Sequence, residues 1–488
     1  MIRHPVQAGR CRTNSQGSNL KQVHLCTCVW GTWHVEVLSK IMWPCLLAER
    51  NLPAFMRQCR AVYRLCTTRR DQQQMRSMPV FAAISKLVDV QFIDTPAENP
   101  EPIFHMHRFF QALAEARDED AIFFNLWPDV VFTDRTLGSA AEILGSGVAG
   151  CVIPTVRVVS ETCAKEIMED LSDPPGAPMA ISPGEAARLG VKHLHPLCAT
   201  SVAGGRHGRP DIGMLFRVPG EGMVARTLDE WLFVDPRRLS IENSVVTTDD
   251  PDPGRLIHIA SDSDDMFFLS LAPLFKELEI FRPDHPNQAI DIARMTMHPM
   301  HALSPFYDHF DRVCTRLHYG PMTETLWEPV VRRSEAAFRR VRMLRAFLRI
   351  WALAKSQGCQ QAARIMSAAL FNLKLPAGWL IDQPVTIFVP NDAAMASIPA
   401  ERRLQLLDRR YARKTVEAML SHVVLGSGTM PTDGGGEHRS LTGEPIHIER
   451  HNGAYRINER AKVVADLRSG PHRVCIIDQC LEPRLLVH

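Results

Sequence analysis

The chain has 488 residues, 45% of them hydrophobic, and a formal net charge of +2. That length and apolar content suit two or three globular domains, each with a sizeable core, and the balanced charge gives no overall pull toward nucleic acid or an acidic membrane surface. The thirteen cysteines are an odd number with no CxxC spacing, so they read as free thiols in a reducing compartment rather than as a disulfide framework.

In chain order, residues 1–20 carry Gln, Ser, Asn, Gly and Arg with little apolar periodicity and are expected to be a disordered tail. The start lacks the apolar core of a signal peptide, and no window is long and apolar enough to span a bilayer, so the expected location is cytoplasmic by default. Residues 23–30 read as a buried strand, Gly31 as a break, and 35–47 as a helix. On that strand Cys26 and Cys28, two residues apart, would face one side as core residues. Further strands are expected at 61–65, 88–93, 121–126, 149–153 and 257–260, with helices such as 104–116 between several of them. This alternation predicts a Rossmann-like α/β domain over 21–322.

Loops are expected at 173–178 and 204–213. Gly145, Gly147 and Gly150 match GxGxxG, yet helix before them and strand after is the reverse of a dinucleotide site. His105 with His107, and His193 with His195, would each face one side of a strand, without an identifiable third metal ligand. Met295, Met297, His298, Met300 and His301 read mainly as core filler.

The sharpest local chemistry is an apolar strand, 256–260, running into Ser261, Asp262, Ser263, Asp264 and Asp265. Carboxylates one apart at a strand end can share a divalent cation, which in turn neutralises a diphosphate leaving group. Asp262 and Asp264 thereby resemble the DxD of GT-A type glycosyltransferases, which implies Mn²⁺ or Mg²⁺ and a nucleotide sugar. Asp262 to Asp265 equally suit the cap of a helix beginning near Met266. Asp129 and Asp134, after the run 121–126, are an alternative metal pair.

Residues 323–370 are helix-prone, and between 330 and 350 they carry Arg332, Arg333, Arg339, Arg340, Arg342, Arg345 and Arg349. Such a basic stretch, over 323–346, is either the solvated side of a linker helix or a face for an acidic membrane.

In the last quarter, Val385 to Val389 form a β-branched and aromatic run that Pro390 ends, and Asn391 or Asp392 can cap a helix begun by Ala393. Ile446 and Ile448, then Asn452 and Gly453, then Tyr455 and Ile457 predict a hairpin. Strands at 463–467 and 474–478 follow, and Leu481 and Pro483 close the set. Phe388, Pro390, Asn391 and Asp392, then His422 with its valines, then Asp478, Leu481 and Pro483 together resemble the fasciclin (FAS1) domain, over about 347–484. Two departures stand out: Ser421 replaces a tyrosine-like residue before the histidine, and Ser469 to Arg473 alter the closing turn. His422 reads as a hydrogen-bonded core histidine, and Thr386 and Asp392 as strand and cap residues. The resemblance implies an α+β module of protein binding or cell adhesion type, recognising a protein or glycan partner, in a family that usually works outside the cytoplasm. Two functions follow: a FAS1 binding protein on an α/β scaffold, or a metal-dependent glycosyltransferase carrying a FAS1 module.

Overall fold

The computed structural model describes residues 21–95, 102–170, 176–200, 202–203, 214–226, 230–242, 245–250, 252–274, 306–372, 383–426, 430, 434–451, 453–469 and 471–481. The expected tail at 1–20, the loop 204–213, the first half of 173–178 and the methionine and histidine cluster at 295–301 lie outside them.

The N-terminal half is built on one mixed sheet. Its strands are β1 (Gln22–Cys28), β2 (Arg60–Thr67), β3 (Asp89–Asp94), β4 (Ile122–Asn125), β5 (Gly150–Ile153), β6 (Glu230–Val234) and β7 (Ile257–Ile259). The spatial order is β3-β2-β1-β4-β6-β5-β7, with β6 antiparallel to both neighbours and every other pairing parallel. The expected strands are all present. β1 and β4 are buried almost without a break because helices and loops cover both faces of the sheet, so the alternation of a half-exposed strand is absent. After β1, Gly31 adopts φ +74° and its amide donates to Asp71 Oδ2 at 3.0 Å, which turns the chain into the next helix. Helix α1 (Pro102–Asp118) covers one face over β1 and β4.

Strand order reverses between β1 and β4, and in open α/β sheets ligands bind beyond the carboxyl ends of the strands at such a point. Cys28, Thr67, Asn125 and the loop after Ile259 all lie at that edge.

Helix α2 (Glu324–Ser356) joins the halves as one unbroken rod of 33 residues. It packs on the strands Met214–Val218 and Gly222–Arg226 at one end and on the C-terminal sheet at the other. Its arginines do not form a single basic face. Arg345 is fully buried and pairs with the equally buried Asp311 at 2.7 Å. Arg342 bonds Glu335 and the Asp311 carbonyl, Arg333 the Ala203 carbonyl, and Arg332 lies 3.2 Å from Glu328. The membrane face read from this run fails because several of the guanidiniums are spent inside the protein. No described helix is long and apolar enough to cross a membrane.

After α3 (Gln360–Asn372) comes a second sheet of β8 (Val385–Pro390), β9 (Val423–Leu425), β10 (Gly435–Arg439), β11 (Pro445–His451), β12 (Ala454–Ile457), β13 (Ala461–Ser469) and β14 (His472–Ile477). They run in the order β9-β8-β14-β13-β12-β11-β10, with β8 and β14 parallel. The expected hairpin turns at Gly453 with φ +79°. A second tight turn, Asn458 and Glu459, has φ +52° and +60°, and Asn458 holds it by accepting from the His447 amide at 2.8 Å. Helices α4 (Asp392–Ala396), α5 (Ala400–Leu407) and α6 (Ala412–Leu420) complete this α+β module.

Candidate functional site

The C-terminal motif residues are framework. Thr386 is buried in β8 and its hydroxyl donates to the Gly426 carbonyl at 2.8 Å. Phe388 fills the core, and the Pro390 position pairs with Ile477 across the parallel ladder. Asn391 caps α4 by accepting from the Ala394 amide at 2.8 Å, while Asp392 accepts from the Gln361 amide at 2.8 Å and so caps α3 instead. Asp478 accepts from the Lys462 amide at 2.7 Å, which clamps β14 to β13. Pro483 lies outside the described residues.

His422 is a structural histidine with a fixed tautomer. Its Nδ1 sits 2.8 Å from the Ala418 carbonyl, which can only accept, so Nδ1 carries the proton. Nε2 is thereby the acceptor for the Leu481 amide at 3.2 Å. Ser421, where the family has a larger residue, contributes a second hydroxyl contact to Nδ1 at 3.2 Å. Burial lowers the His422 pKa from the ordinary 6.5, so the folded state resists a proton that the unfolded chain accepts. Stability contributed here is present above 6.5 and declines as pH falls below it, with a limiting slope of about 1.4 kcal/mol per pH unit. The melting temperature of the C-terminal transition is expected to drop between about pH 7 and about pH 5. His422→Gln should flatten that drop; an equal drop in both proteins would assign it to other groups.

This ordered set of strand, cap, histidine and clamp coincides with a family match: residues 357–483 match the Fasciclin domain. This stretch is a fasciclin domain. The chain is also 31% identical over 100 residues to Protein sll1483 of Synechocystis sp. (strain ATCC 27184 / PCC 6803 / Kazusa), a match covering 20% of this chain and 56% of that protein. Thus the chain spans little more than half the length of this curated relative. Among solved structures it is similar to a FAS1 domain pair from the insect cell adhesion molecule Fasciclin I, at 15% identity and a TM-score of 0.23, over 27% of this chain and 49% of that one. It is similar too to the mannosyltransferase PcManGT from Pyrobaculum calidifontis in complex with GDP-Man and Mn²⁺, at 11% identity and a TM-score of 0.28, over 82% and 87%. The domain assignment rests on the family match and the sheet, not on those two likenesses.

A cavity of about 820 Å³ opens in the fasciclin domain between β8 and the helices α3 to α6. Ile398, Leu406, Met419, Ile457 and Leu481 line it, with Arg402 and Glu459 also bordering it.

In the α/β domain, Asp262 and Asp264 leave the end of β7 in a turn closed by the Asp264 amide donating to Asp262 Oδ1 at 3.0 Å. The helix expected near Met266 is absent. Phe268–Ala272 is a strand between Thr155–Val159 and Val130–Phe132, its aromatic and apolar side chains being spent in sheet pairing. The two carboxylates therefore cap no helix. Instead the strand Thr315–His318 runs beside them, bonded through the Ser263 amide to the Arg316 carbonyl at 2.8 Å and the Arg316 amide to the Ser261 carbonyl at 3.0 Å. That register brings His318 Nε2 to 3.0 Å from Asp262 Oδ1 and 3.6 Å from Asp264 Oδ2. His318 Nδ1 is 3.0 Å from the Gly320 carbonyl, which fixes the proton on Nδ1. Nε2 therefore faces both carboxylates, an arrangement that a proton or a bound cation between them satisfies. The three donor atoms lie within 4.8 Å of one another. Two carboxylates and an imidazole suit Mn²⁺ or Zn²⁺ better than Mg²⁺, which prefers oxygen alone.

The alternative pair does not assemble. Asp129 and Asp134 stand beyond opposite ends of the strand Val130–Phe132, whose three residues alone span about 10 Å at about 3.3 Å each. Asp134 is engaged by Arg50 at 3.2 Å. The strand expected for His105 and His107 is instead part of helix α1, and His193 is bonded to Glu166 and Thr162. Sequence reasoning missed His318, which lies 56 residues from Asp262 and has no motif of its own.

Proposed function

We propose that the protein is a binding protein whose fasciclin domain captures a partner while the α/β domain serves as its scaffold. The single observation that carries this reading is the fasciclin match over 357–483 together with the groove that the same residues enclose. The groove wall is mainly aliphatic, and its two phenylalanines, Phe347 and Phe388, are 4% and 1% exposed and so offer little ring face for a sugar to stack on, which within the protein-or-glycan choice favours an apolar segment of a protein. Ile398 is half-buried in the wall, whereas Leu404 is 68% exposed and lies outside it. Ile398→Asp is expected to weaken retention of the partner by immobilised full-length protein about tenfold or more, and Leu404→Asp to leave it unchanged. Equal retention by the two variants would move the contact off the groove.

A second reading has its own observation. The Asp262, Asp264 and His318 donors at the carboxyl edge of the sheet favour a cation-dependent site for a nucleotide sugar, of the kind the DxD resemblance implies. A cation held there would neutralise the diphosphate, and His318 and the two aspartates would hold that cation.

A further inference from the structure

The α/β domain brings three thiols together where the sequence shows only two. Cys26 and Cys28 point to one side of β1 because strand side chains alternate. β1 and β2 pair in parallel with Cys28 opposite Cys66, and Arg64 opposite Cys26. The sulfurs of Cys26, Cys28 and Cys66 all lie within 4.8 Å of one another. Four thiolates around zinc, with Zn–S bonds of about 2.3 Å, stand about 3.8 Å apart, so closing on an ion asks each sulfur to move less than about 1 Å. All three are free thiols.

We propose that Cys26, Cys28 and Cys66 form a binding site for a thiophilic d¹⁰ cation of the zinc class. The donor set is soft sulfur, which selects such ions over Mg²⁺ or Mn²⁺. Three thiolates on a divalent ion leave one negative charge, and the Arg64 and Arg108 guanidiniums stand close enough to act electrostatically on Cys66. Binding replaces each S–H bond by an S–metal bond and releases its proton to solvent. Cys26 and Cys66 are buried, but Cys28 is half-buried at the end of β1, so a fourth position opens toward the carboxyl edge of the sheet at the β1/β4 reversal. A water or an incoming oxygen or nitrogen donor completes the tetrahedron there.

Buried cysteines are ordinarily small core residues, and Cys45, buried in a different part of the core, is the internal control. The test titrates reduced full-length protein with Co²⁺ as a spectroscopic stand-in, then competes it with Zn²⁺. The expected result is thiolate-to-cobalt charge-transfer absorption that saturates at one equivalent and that Zn²⁺ abolishes, a band that an ion on the carboxylate site does not give. Cys28→Ser and Cys66→Ser should each weaken binding about tenfold or more, whereas Cys45→Ser and Asp264→Asn should not. Circular dichroism of each apoprotein shows whether the fold survives, and if Cys66→Ser unfolds, the more exposed Cys28→Ser decides. Wild type without the charge-transfer band, or a band that persists in folded Cys28→Ser, overturns the site. The Asp264→Asn arm keeps the outcome separate from the carboxylate site.

Discussion

Asp311→Ala is expected to lower stability by about 3–5 kcal/mol. Asp311 and Arg345 are both fully buried and meet at 2.7 Å. Truncating the carboxylate strands a guanidinium that cannot reach water, so the loss includes the uncompensated charge as well as the pair. The Asp311 carbonyl also accepts from Arg226 and Arg342 at 3.0 Å each, so the segment is a hub on which α2 is seated. Because α2 touches the sheets of both halves, both should loosen, and thermal melting should begin about 6–20 °C earlier. Replacing Asp311 and Arg345 together by apolar residues of similar volume should recover most of the loss, since desolvation then disappears along with attraction. A single variant that melts with wild type would show that the pair is not desolvated as the structure has it.

His318→Ala is expected to remove cation-dependent nucleotide-sugar binding, with affinity falling about a hundredfold or more. The readout is the melting temperature of the full-length protein with a nucleoside-diphosphate sugar, with and without Mn²⁺. A ligand that binds only the folded state at a hundred times its Kd adds about 2.7 kcal/mol, enough to see. Asp264→Asn should behave like His318→Ala, and wild type without Mn²⁺ should give no shift. If instead Nε2 carries a second proton and the cluster is a plain ion pair, Mn²⁺ will change nothing in wild type. That outcome would leave the fasciclin domain as the sole functional part of the proposal.

Much of this protein is written locally. The apolar runs at β1, β2, β4 and β8 are long enough to name themselves as strands, and Pro390, Asn391 and Gly453 set their ends through missing donors, side-chain acceptors and a positive φ. The fasciclin domain was legible for the same reason: its motif residues are strand ends, caps and clamps, whose roles depend on near neighbours. His422 as a core histidine also followed from its apolar setting.

Sequence order does not say which strand lies beside which. Cys66 joins Cys26 and Cys28 only because β2 pairs with β1 in one register, and a shift of one residue would turn it to the opposite face. His318 meets Asp262 and Asp264 through ladder bonds made across more than fifty residues. The aspartates' neighbour Met266 looked like a helix start because short apolar runs fit either period, and the sheet waiting on both sides chose strand. Arg345 looked like solvated surface until Asp311 was brought to it inside the core. The sequence by itself determined the elements and the fasciclin domain, whose signals are local hydrogen bonding and periodicity. Tertiary structure alone decided the carboxylate–histidine and three-thiol clusters, because each is a property of register between segments distant in the chain.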